Sequence, residues 1–108
     1  MTKLEMLLVM LAEEASEVSQ GACKCIRFTA QHKSSKLPKS NFGNLEDELA
    51  DLEAMVALVK AELHSDDSYI LALPEEIRKI ADKKLTTINT SIRLGVSIQE
   101  ENSNELFK

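Results

Sequence analysis

Four carboxylates at matched spacing are the residues of this 108-residue chain best placed to do chemistry. Glu14 and Glu17 form one pair, Glu48 and Asp51 another, each three residues apart. On a helix that spacing puts two side chains on one face, with Cβ atoms about 5 to 6 Å apart. Antiparallel packing of the two host helices would bring all four acids into one groove. Like charges held that close take up protons or hold a cation, and oxygen ligands suit hard divalent ions. Magnesium is the natural ion, with manganese as a substitute. Such magnesium sites keep several waters and add phosphate oxygens as ligands, so the spacing points to a polyphosphate. Acid pairs also arise on ordinary solvated helix faces, so position must carry the weight. Glu14 falls on the apolar line Leu4, Leu7, Leu11 and Val18, while Glu48 and Asp51 open the flank of Met55 and Leu58. Unpaired carboxylates in such places are costly.

The elements that must position these acids can be read from period and caps. Residues from Leu4 to about Phe28 form a first helix, with Thr2 as N-cap and Glu5 completing a capping box. Gly21 inside it permits close approach of a neighbouring helix or a ligand. Residues 29–43 read as a loop, with Pro38 and Gly43 as breakers and Lys33, Lys36 and Lys39 without a single acid. That loop is either a solvated linker or a phosphate-facing lid. Asn44 is placed as the cap of a second helix running to about Leu63, with Glu46, Asp47 and Glu48 near its positive end. Its main apolar stripe is read as Leu45, Leu49, Leu52, Val56, Val59 and Leu63, with Met55 and Leu58 as a flank. Pro74, Glu75 and Glu76 open a third helix that ends at Gly95, and residues 96–108 read as a tail.

Cations suited to phosphate are Lys24 and Arg27 on the first helix and Lys84 and Arg93 on the third. Lys84 interrupts the apolar line of Ile77, Ile80, Ala81, Leu85, Ile88 and Ile92, where a lysine either snorkels along its stem or meets a buried anion. His32 and His64 fall near helix ends and read as solvated or capping residues.

Composition sets the frame. Low aromatic content, 4%, and three glycines favour helix over sheet, and the length fits one domain spanning 1–108. A net charge of -5 disfavours nucleic acid as a partner. Cys23 and Cys25, two apart, suit neither a disulfide nor a zinc site, and no apolar run reaches the ~18 residues of a membrane span. The expectation is a reduced, cytoplasmic protein with no membrane partner.

The stretch "LAEEASEV", followed after a long gap by "NLEDELADLEAMVALV", resembles the E-x-x-E…E-x-x-D signature of the MazG-like all-α nucleoside triphosphate pyrophosphohydrolases, relatives of the dimeric dUTPases. The likeness spans roughly Leu4 to Leu63. It implies an all-α antiparallel bundle of three main helices, completed by assembly as a homodimer or homotetramer. It also implies magnesium-dependent hydrolysis of a nucleoside triphosphate to the monophosphate and pyrophosphate, in nucleotide-pool cleansing. Glu14, Glu17, Glu48 and Asp51 match the family's magnesium-binding acids; Glu14 is either a ligand or the base that orients the water. Asn89 and Arg93 resemble the basic or amide positions that relatives place on their last helix, and Lys24, Arg27 and Lys84 join them as substrate contacts by their charge. Tryptophan is absent, and Phe28, Phe42, Tyr69 and Phe107 lie at or beyond helix ends, so a second subunit is expected to supply the wall of the base pocket. Two alternatives stand beside this reading: a phosphoribosyl-ATP pyrophosphohydrolase-like enzyme, and a non-catalytic helical interaction module.

Overall fold

The computed structural model describes residues 1–28 and 40–95. All regular structure among these residues is helical: α1 Lys3–Arg27, α2 Asn41–His64, a short α3 Ser68–Leu71 and α4 Glu75–Leu94. None of these helices is long and apolar enough to cross a membrane. Residues 96–108 and most of the expected loop, 29–39, lie outside the described residues.

The start of α1 follows its sequence. Thr2 Oγ1 accepts from the Glu5 backbone N–H at 3.0 Å, and Glu5 Oε1 accepts from the Thr2 N–H at 2.7 Å. This reciprocal box satisfies two N–H groups that the helix itself cannot pair.

The start of α2 differs from expectation. Ser40, not Asn44, is the cap: its Oγ accepts from the Gly43 N–H at 3.1 Å, so Gly43 belongs to the first turn instead of breaking the chain. A serine hydroxyl at that position is as good a cap as asparagine, and it gains just over a full turn of helix. Glu46, Asp47 and Glu48 consequently sit beyond the first turn, which holds no acid. At the other end Ser65 adopts the left-handed region, φ 49°, and closes α2. Asp66 Oδ1 then accepts from Ser68 N–H at 2.9 Å, starting the α3 turn that the sequence reading treated only as a break. Its purpose in packing is Ile70, which is buried in the core.

α2 is the central element, in contact with α1, α3 and α4. Lys3 reaches Glu62 at 3.6 Å, while Gly21 faces Leu45 and Glu48, so α1 and α2 run antiparallel. The core is formed by Leu7 of α1, Ala54, Met55, Leu58 and Ala61 of α2, Ile70, and Ala81 and Ile88 of α4. This corrects the expected packing of α2. Its supposed flank, Met55 and Leu58, is the buried face, and of the supposed main stripe Leu49, Val56 and Leu63 are exposed while Val59 is buried. The physical reason is the set Ala54, Ala57 and Ala61: small side chains let neighbouring helices approach closely, and the buried face forms around them.

Candidate functional site

The antiparallel register of α1 and α2 sets Glu17 opposite Glu48 and Glu14 opposite Asp51. Glu17 is exposed, whereas Glu14 and Asp51 fall on the side of the hairpin that α4 covers. Lys84 of α4 reaches into it, and its Nζ donates to Glu14 Oε1 at 3.1 Å. Both side chains are largely withdrawn from solvent, 18% exposed for Lys84 and 14% for Glu14. Lys84 therefore meets a partly buried anion, and the anion is one of the four acids. Glu13, one position away, is exposed, as the ~100° step per residue of a helix requires.

Two carboxylate oxygens are buried without a hydrogen-bond partner: Glu14 Oε2 and Glu48 Oε2. An unsatisfied buried acceptor costs about 1 to 3 kcal/mol, and more when charged. Burial raises the Glu48 carboxyl above its ordinary range, Glu17 adds to this, Lys24 opposes it, and Asp51 and Glu14 raise it further. Asp51 is raised by burial first; Lys84 lowers it, while Glu14 and Asp47 push it up. Glu48 thus feels the other three acids, and Asp51 feels Glu14. They do not form a closed cage: among the described residues no three carboxylate, thiol or imidazole groups converge as a ready-made metal site.

The two unpartnered oxygens and an all-oxygen donor set fit the ligand chemistry of a hard cation such as magnesium. The open arrangement suits an ion that keeps waters and takes phosphate oxygens as its remaining ligands.

Two cavities flank the acids. One, about 290 Å³, is lined by Gly21, Lys24, Asn41, Asn44, Asp47 and Glu48. The other, about 420 Å³, is lined by Met10, Asp51, Ile80, Lys83, Lys84 and Thr87. Lys24 and Lys84 each stand at one end of the acid groove. Arg27 instead sits over the ring of Phe28, 5.8 Å from its centroid. Asn89 and Arg93 are exposed, and at about 100° per residue they lie roughly 140° and 180° around α4 from Lys84. Neither lines the two cavities. His64 stacks on Tyr69, with centroids 5.5 Å apart, at the end of α2 remote from Glu48. His32 lies outside the described residues.

Lys83, Thr87, Asn41 and Asn44 were not singled out as site residues from sequence. Lys83 and Thr87 follow Ile80 at helical spacing and share its face, a signal available in the sequence. Asn41 had been assigned to the loop. Comparison of the chain with family models, with curated proteins and with solved structures gives no significant match.

Proposed function

We propose that this protein is a magnesium-dependent nucleoside triphosphate pyrophosphohydrolase, releasing the nucleoside monophosphate and pyrophosphate and serving nucleotide-pool cleansing. The observation that carries the reading is that Glu14 and Glu17 of α1 lie near enough to Glu48 and Asp51 of α2 to raise their carboxyls, with two buried carboxylate oxygens, Glu14 Oε2 and Glu48 Oε2, left unpartnered. The resemblance of their two motifs to the MazG-like signature supports the same reading.

In this proposal the four acids hold magnesium, and manganese substitutes for it. The bound ion supplies charge neutralisation of the triphosphate and a more acidic water. The reaction breaks the bond between the α-phosphorus and the bridging oxygen of the departing pyrophosphate. The water oxygen takes its place in line, and the water proton passes to one of the carboxylates of the site. Lys24 on one side and Lys83 and Lys84 on the other bracket the acids and stabilise phosphate oxygens. Pairing with Glu14 holds Lys84 in place; a cation on the acids would free it to turn to phosphate. Arg27, Asn89 and Arg93 face elsewhere and are not assigned to substrate within one subunit.

A second copy of the chain is the partner in this reading. One side of the α1/α2 hairpin is covered by α4, and the other leaves Leu8, Leu49, Val56 and Leu63 exposed.

The decisive experiment presents canonical and modified nucleoside triphosphates with magnesium to the purified chain and assays pyrophosphate. Release that Glu48→Gln abolishes is expected; silence across the panel would overturn the proposal. A non-catalytic helical module would bind no magnesium and show no shift in Tm on its addition.

A further inference from the structure

Gly21 lies inside regular α1, and the positive φ that would demand glycine is found among the described glycines at Gly95 instead. Glycine is a poor residue for a helix interior, so its presence there calls for a reason other than backbone conformation. Gly21 is buried, and a Cβ built on it would overlap Glu48 Oε2. The same Cβ would stand 3.3 Å from Glu48 Cδ and 3.4 Å from Leu45 Cδ1. The carboxylate of Glu48 therefore occupies the space in which any other residue would carry its side chain.

We infer that Gly21 is a positioning residue: its missing side chain is the notch that seats the Glu48 carboxylate against α1, facing the other acids, and thereby sets the affinity for a divalent cation. The inference rests on the cation-binding part of the proposed function. The obstructing atoms belong to the far end of a flexible side chain, whereas the contact with Leu45 is an ordinary van der Waals distance. A methyl at position 21 thus displaces the carboxylate without prying the helices apart. It also narrows the cavity shared by Gly21, Lys24, Asn41 and Asn44.

This makes stability and binding move in different directions. Alanine is the better helix former, so Gly21→Ala should leave Tm unchanged or higher in chelator. Cation affinity should fall about ten- to a hundred-fold, as when a group that orients a ligand is lost. The test titrates manganese and magnesium into the full chain by calorimetry, for wild type, Gly21→Ala, Glu48→Asp and Gly21→Ala/Glu48→Asp. Shortening the acid by one methylene clears the new methyl, so the double variant should bind more tightly than Gly21→Ala alone. Unchanged affinity in Gly21→Ala, beside a wild type that binds, overturns the inference. So does a Tm that falls together with affinity and is not rescued by Glu48→Asp, which would mark a glycine needed only for helix packing. A wild type that binds neither ion overturns the proposed function itself.

Discussion

Lys84 Nζ donates to Glu14 Oε1 at 3.1 Å, joining α4 to α1 across seventy positions of sequence, while the second oxygen of Glu14 has no partner. The lysine balances part of the charge of an acid group that burial and repulsion otherwise strain. Lys84→Met would leave both Glu14 oxygens without their cation. Removing one partner of a fully buried pair costs about 3 to 5 kcal/mol; because solvent reaches this one in part, a loss of about 1 to 3 kcal/mol is expected. Denaturant unfolding near neutral pH measures it. Adding Glu14→Gln to Lys84→Met should recover part of the loss, and additive losses would contradict the pairing.

Glu48 and Asp51 both have folded-state carboxyls raised chiefly by burial. The folded chain then holds these protons more tightly than the unfolded chain. Stability from these groups is present at and below the ordinary carboxylate range and is lost as pH rises through their raised values. Thermal melts in chelator from about pH 4 to 8 should show this decline, and Glu48→Gln should reduce its slope and raise Tm at neutral pH. Magnesium must displace the same protons, so its affinity should rise with pH over that window. A wild-type slope of opposite sign, unaltered in Glu48→Gln, would contradict the assignment.

The inward facing of Glu14 and Lys84 was more legible in sequence than the packing around them. Glu14 interrupting an apolar line, and Lys84 interrupting another, each marked a polar side chain aimed inward, and the two meet. The capping box of Thr2 and Glu5 was equally plain, because it depends on local geometry alone. The buried face of α2 was misassigned because leucine and valine were counted and alanine was not. Ala54, Ala57 and Ala61 contribute little area each, yet they decide how closely the helices approach. Leu49, Val56 and Leu63 have a better apolar period than the true core face, a conflict that local pattern cannot resolve. The notch at Gly21 depends on the register between α1 and α2, so sequence showed only that something approaches there.

Glu13 and Glu14 are adjacent in sequence and face different surroundings: Glu13 is exposed, Glu14 withdrawn beside Lys84. Glu13→Gln should change stability by no more than about 0.5 kcal/mol and leave magnesium binding intact. Glu14→Gln should weaken magnesium binding and pyrophosphate release sharply. Calorimetry and the release assay on the two variants compare them directly, and equal losses would contradict the facing assignment.

The exposed apolar residues of α2 repeat at seven-residue intervals, Leu49, Val56 and Leu63, with Leu45 and Leu52 half-buried beside them. Leu8 of α1 extends the same side of the hairpin. This is the narrow stripe that one helix offers another in a coiled coil, with four-, three- and four-residue steps from Leu45 to Val56 and a seven-residue step to Leu63. Glu53 and Lys60 border the stripe and are exposed. Pairing with a second copy about a two-fold axis near Val56 runs the two α2 helices antiparallel and sets each Glu53 beside the partner's Lys60. Those opposite charges favour the antiparallel arrangement, which lies on the side of the hairpin away from Lys84. Leu49→Glu and Val56→Glu place charge at the centre of that contact, where unpaired charges are strongly unfavourable. Sedimentation should show the wild type as an oligomer and the double variant as a monomer with helical circular dichroism retained. A wild type that sediments as a monomer, or an unchanged mass in the variant, would show that this stripe does not hold two copies together.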